Sequence, residues 1–131
     1  MDRIWNLGIK VSDIDAELEF LKACGATGIE RGTIDTPQGG VPFAMARLGE
    51  ERLLLFREVV YADALPEPMK RGLAHAVYEV SDVAGVLKRM SAAGIAPMWG
   101  PADLATPFGR RRVVFFRSPS GFVFETFQPL P

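Results

Sequence analysis

One stretch of the chain is written twice. Residues 6–25 read NLGIKVSDIDAELEFLKACG and residues 75–94 read HAVYEVSDVAGVLKRMSAAG, an ungapped match at an offset of 69 positions that shares VSDI and VSDV. A repeat of this length restricts the fold more than any single motif, because each copy must form the same unit and bury the same faces. In each copy an alternating apolar stretch comes first: Trp5, Leu7, Ile9 and Val11, then Ala74, Ala76, Tyr78 and Val80. Period two marks a strand with one buried face. Ser12-Asp13 and Ser81-Asp82 then offer side-chain oxygens to the free N–H groups of a starting helix. A stripe at helical spacing follows, Ile14, Leu18 and Leu21 in one copy and Val83, Val86, Leu87 and Met90 in the other. Gly25 and Gly94 supply the left-handed residue that ends each helix.

Further strands are predicted at 28–34, 42–48 and 52–58 in the first half, and at about 96–99, 110–117 and 121–128 in the second. The fold class is therefore α+β: two βαβββ modules in tandem, about residues 1–61 and 72–131, within one domain spanning 1–131. Residues 62–71, ADALPEPMKR, are rich in proline and charge without an apolar period, as expected of a linker. One helix covers only one face of each small curved mixed sheet, so the opposite faces must turn toward each other, a ligand or a second chain. Phe56 and Phe127 on those faces suggest a cleft.

Composition removes several function classes. At 131 residues and 48% hydrophobic, the chain suits one well-buried domain. Fifteen basic against 16 acidic side chains leave a formal net charge of −1, so no broad electropositive surface recommends a nucleic acid. The start, MDRIWNLGIK, lacks a basic region followed by an apolar core, and no segment approaches the roughly 20 apolar residues that span a bilayer. A cytoplasmic protein with no membrane partner is expected. Cys24, the only cysteine, forms no internal disulfide or thiolate cluster, and its place at a helix end predicts a buried, inert thiol.

His75 is the only histidine. Strand alternation places Leu73, His75, Val77 and Glu79 on the face opposite Ala74, as it places Ile4, Asn6, Gly8 and Lys10 opposite Trp5. Val123, Glu125 and Phe127 share one face of the last strand. If these faces line the cleft, His75 and Glu125 meet there, and truncating His75 should cost little stability.

Duplicated βαβββ modules, VSD before each helix and SPSGFVFETFQ at the end resemble the vicinal oxygen chelate superfamily, the group of glyoxalase I, bleomycin-resistance proteins, extradiol dioxygenases, methylmalonyl-CoA epimerase and fosfomycin-resistance enzymes. The resemblance covers nearly the whole chain. It implies a cleft between curved sheets which, in metal-dependent members, holds a divalent ion on histidine and glutamate from the first and last strands of each module. His75 and Glu125 match two such positions. Asn6 stands where module one would supply the equivalent of His75, and Leu54 stands opposite Glu125. The family's DPDGN turn is SPSGF here, Ser118 to Phe122, which keeps the glycine the turn needs. Members commonly form homodimers, and some share a metal site across the dimer.

Most transition-metal sites bind through at least three protein ligands. His75 and Glu125 make two, Asn6 adds at most a weak amide oxygen, and Leu54 adds nothing, so the expected cofactor is none or a weakly bound divalent metal. Without metal, His75 and Glu125 can form a hydrogen-bonded acid–base pair, or simply stabilise the sheet. Asn6, Leu54, Phe56, Trp99 and Phe127 are the expected ligand-binding residues, with Trp99 on a proline- and glycine-rich loop, APMWGPADLATPFG, placed to cover the cleft. The run GRRRVV, Arg110 to Arg112, raises a phosphate or carboxylate ligand such as a CoA ester, although a solvated edge strand is the favoured reading. Two functions remain open: a protein that sequesters a small organic molecule, and a lyase, isomerase or dioxygenase using His75 and Glu125.

Overall fold

In the computed structural model, which describes residues 3–131, the chain runs β1 (Arg3–Lys10), α1 (Ile14–Ala23), β2 (Thr27–Thr36), β3 (Gly39–Leu48), β4 (Glu51–Phe56), a short turn of 3-10 helix (Ala62–Ala64), β5 (Gly72–Glu79), α2 (Val83–Ala92), β6 (Trp99–Thr106), β7 (Gly109–Arg117) and β8 (Val123–Pro129). β1 and α1 recur as β5 and α2 with both bounds shifted by the 69 positions of the sequence repeat. The duplicated βαβββ reading holds.

Strand order is β1-β4-β3-β2-β6-β7-β8-β5, closed into a barrel. Within each module the first and last strands pair in parallel, β1 with β4 and β5 with β8. The two curved sheets join at both edges. β1 lies antiparallel to β5 along its length, and β2 meets β6 through the single pair Asp35 and Ala105. The barrel interior lies between the two sheets.

Three apolar clusters divide the core. One fills the barrel; α1 covers a second outside it with Leu18 and Leu21, and α2 a third with Val83 and Val86. Asp13 caps α1 by accepting from the Ala16 amide at 3.1 Å. Asp82 makes no such bond at α2, where the Val83 amide instead donates to Gln128 Oε1 at 3.0 Å. Gly25 and Gly94 take φ values of 98° and 76°, the left-handed region that ends each helix.

Four features depart from the sequence reading. β6 occupies 99–106 rather than about 96–99, so Trp99 and its neighbours form a strand and not a covering loop. Strict alternation fails at two equivalent bulges. Trp5 is an extra residue between the pairs Ile4–Tyr78 and Asn6–Val77, and Ala74 is an extra residue between Gly8–His75 and Ile9–Leu73. A bulge turns consecutive residues toward the same side; Trp5 and Ala74 join the barrel interior, while Ile4 and Leu73 face outward, Leu73 being 66% exposed. β7 lies between β6 and β8, not at an edge; Arg110 and Arg112 are exposed and Arg111 is buried. Cys24 is exposed, because as the C-cap it stands beyond the inward stripe of α1.

Candidate functional site

Inside the barrel lies a cavity of about 50 Å³ that opens at a mouth. Its walls are mainly apolar, with Leu54 and Phe56 from β4, Leu104 from β6, and Val113 and Phe115 from β7. Asn6, His75, Arg111 and Glu125 put polar groups into this wall, and exposed Glu58 marks the mouth. An apolar cavity with a few convergent polar groups is the common form of a small-molecule site.

His75 is 6% exposed and anchored on three sides. Its ring stacks on Phe56 at 5.5 Å with an interplanar angle of 11°, and meets Phe115 edge-on at 5.4 Å. Its Nδ1 lies 2.8 Å from the Tyr61 hydroxyl. A phenol is a far better donor to imidazole nitrogen than to the Met69 thioether 3.8 Å away. Tyr61 therefore donates to Nδ1, and the neutral ring carries its proton on Nε2. Burial holds the imidazole down at about 3, so the ring stays neutral. Gly8, paired with His75 across β1 and β5, makes room for it: a Cβ there would lie 2.5 Å from Nε2.

Glu125 shares this wall but is not the hydrogen-bond partner of His75. On the parallel strands β5 and β8, His75 pairs with Val123 and Val77 with Glu125, so the two side chains stand two residues apart along the inward face. Burial pushes the Glu125 carboxyl up to about 7, partly opposed by the Arg111 charge. Burial also raises the Tyr61 phenol, with the Glu125 charge adding to the shift. A carboxyl titrating near neutrality suits proton transfer to or from a bound molecule.

Of the residues expected at the site, Asn6, Leu54, Phe56, His75 and Glu125 line one cavity. Trp99 is not in that wall; it is half-buried and meets Phe115 edge-on at 5.7 Å. Phe127 is buried behind it, edge-on to Trp5 at 5.9 Å. Tyr61 belongs to the site although the sequence reading gave it no place there, and so does Arg111, which that reading raised as an anion contact but favoured as part of a solvated edge strand. Tyr61 is fully buried just before the linker, and the apolar run Val59-Val60-Tyr61 was the signal that this segment packs into the barrel.

The register supports the pairing of Leu54 with Glu125. Leu54 pairs with Gly8 and Glu125 with Val77, and Gly8 and Val77 are themselves mates at the 69-position offset of the repeat. Leu54 thus stands at the module-one counterpart of Glu125. Among the described residues, no three His, Cys, Asp or Glu side chains gather as a metal site would require.

No curated protein matches the chain. Solved structures share its fold. They include a hypothetical protein from Bacillus halodurans C-125 (TM-score 0.69, 19% identity, covering 98% of this chain and 95% of that one). Methylmalonyl-CoA epimerase from Mycobacterium tuberculosis is similar (0.70, 19%, 98% and 88%). So is a Streptomyces coelicolor methylmalonyl-CoA epimerase variant in complex with 2-nitronate-propionyl-CoA (0.68, 21%, 100% and 99%). At these identities the likeness concerns the fold alone. A family model, the Glyoxalase/Bleomycin resistance protein/Dioxygenase superfamily, matches residues 3–126, and the chain belongs to that superfamily.

Proposed function

We propose that this protein takes a small organic molecule into the barrel cavity, between the two modules, through a site depleted of metal ligands. The observation that carries this reading is an apolar cavity into which Asn6, His75 and Glu125 bring polar groups. The donor set does not fit a transition-metal ion. His75 Nε2 and the Glu125 carboxylate are its only strong donors, Asn6 offers a neutral amide, and Leu54 offers none. The chemistry left to the chain is binding and orientation by hydrogen bonds donated by Nε2–H of His75 and the Asn6 amide and accepted by the Glu125 carboxylate. Thermal-shift screening of small organic molecules, followed by calorimetry, tests it. Glu125→Gln, which keeps the shape of the side chain, should weaken the ligand found by at least about tenfold, or 1.4 kcal/mol. Unchanged affinity would remove Glu125 from the site.

A second reading, a lyase or isomerase acting on the same molecule, is favoured by the Glu125 carboxyl at about 7. Following the bound molecule by NMR separates the two, because a sequestering protein returns it unchanged. We further propose a cytoplasmic homodimer, an assembly common in proteins of this architecture. Sedimentation showing a monomer at micromolar concentration would exclude the dimer.

A further inference from the structure

The function proposed above leaves Arg111 unused. Its side chain is 9% exposed, on the inward face of β7 and in the cavity wall. Its neighbours in sequence are paired on the outer surface. Arg112 makes two hydrogen bonds to Asp103, at 2.9 and 3.2 Å, and Arg110 donates to the Pro131 carbonyl at 3.3 Å. Arg111 forms neither a hydrogen bond nor an ion pair with any described residue. Its nearest partners are aromatic rings, which accept no N–H bond from it: Cζ lies 4.1 Å from the ring centres of both Trp5 and Phe127, and 5.6 Å from that of Phe108. Trp5 is itself covered by Arg52 at 4.2 Å.

Cation–π attraction of this kind holds the guanidinium in place. It satisfies none of the five N–H donors, which lie in the guanidinium plane and have no acceptor among the described residues. A guanidinium cannot shed its proton to escape this, and a buried charge left unpaired is destabilising. Glu125 lies close enough to act on Arg111 through space but makes no contact with it. The edge is not sealed inside protein either. Among the described residues, the only buried side-chain nitrogen or oxygen with no partner is Thr126 Oγ1. The free edge therefore opens to the cavity.

We propose that the edge of Arg111 is the docking point for a carboxylate, so that the molecule taken by the cavity is a small monocarboxylate with an apolar body. This inference rests on the small-molecule reading above and narrows it. The planar fork fits the two oxygens of a carboxylate side by side. Arg111 is the only cation among the described residues of the wall, since His75 is neutral. The wall also carries the carboxyl groups of Glu58 and Glu125, so it offers an anion one docking point and disfavours a second negative charge. Leu104, Val113 and Phe115 supply the apolar surface for its body.

Matched pairs that differ only in charge test the proposal: benzoate against benzamide, phenylacetate against its amide, isovalerate against its amide. Each is titrated into the full chain by calorimetry and by NMR of labelled valine and leucine methyls. The expected result is that a carboxylate shifts the methyls of Val77 and Val113 while its amide binds at least about tenfold more weakly. Arg111→Met, which keeps an apolar stem against Trp5 but has no donors, should abolish that preference. Arg111→Lys, which keeps the charge without the planar fork, should restore only part of it. Amides binding the cavity as well as carboxylates, or a preference that survives in Arg111→Met, would overturn the proposal and leave the small-molecule reading standing. If no member of any pair shifts a cavity methyl, both fail. Should the variants not fold, the acid–amide comparison on the unaltered chain still decides.

Discussion

Removing one oxygen atom tests how the site is built. Tyr61→Phe keeps the ring that packs on Phe115 at 4.6 Å and deletes only the hydroxyl that donates to His75 Nδ1. Tyr61 is fully buried and His75 is 6% exposed, so water cannot readily replace that donor. Leaving a buried acceptor unsatisfied costs about 1–3 kcal/mol, more than the net value of the hydrogen bond itself. His75→Leu orphans the Tyr61 hydroxyl in turn, with only the Met69 sulfur 3.8 Å away to accept. The double variant leaves neither group orphaned, so its loss should fall short of the summed single losses by about 1–2 kcal/mol. Urea denaturation of the four proteins at neutral pH gives these values. A Tyr61→Phe variant within about 0.5 kcal/mol of the parent, or strictly additive losses, would refute the hydrogen-bonded arrangement. The same geometry corrects the expectation that His75→Ala costs little stability. The ring is stacked, hydrogen-bonded and buried, and its truncation should cost more than about 1 kcal/mol.

Further outcomes follow from the same residues. His75 is held at about 3 against an ordinary 6.5, so the unfolded chain takes up its proton first and stability should fall as pH drops from 6.5 toward 3. Glu125, raised from 4.5 to about 7, should instead lose stability as pH rises through that window; Glu125→Gln should abolish this loss and keep the acid one, as read from urea midpoints across pH. Gly8→Ala places a methyl 2.5 Å from His75 Nε2, and thermal unfolding should register about 1–3 kcal/mol of strain. No change would mean that the ring has room to move. Protein purified without chelator should carry no stoichiometric zinc, nickel or iron by elemental analysis. About one ion per chain, lost on His75→Ala, would revive a metalloenzyme.

The parts legible in the sequence are those where local pattern and tertiary role agree. Helices α1 and α2 obey one period from end to end, and β1 and β5 keep theirs beyond the bulges, so these elements follow from the letters alone. β6 was placed too early, at about 96–99, because Gly100 and Pro101 read as loop. A second signal was present. TPQG at 36–39 and TPFG at 106–109 form the same turn, in which Thr36 and Thr106 each donate to a glycine carbonyl at 2.8 Å. The first copy closes the hairpin after a strand, so the second should have placed a strand ending at 106. The bulges at Trp5 and Ala74 had no such signal, because an extra residue breaks the period on which the assignment of faces depends. The cavity positions of His75 and Glu125 were legible from alternation beyond the bulge. The partner of His75 was not, since Tyr61 reaches it from a segment with no regular period.

The central claim is that the barrel interior, rather than the outer surface, receives the small molecule. A crystal structure of the protein with the first compound found by thermal-shift screening tests it most directly. The account predicts the compound inside the barrel, within hydrogen-bond distance of His75 Nε2 or the Glu125 carboxyl. A compound lodged instead in the outer groove formed by Leu65, Met69, Arg71 and Arg117, with the interior unchanged, would contradict it.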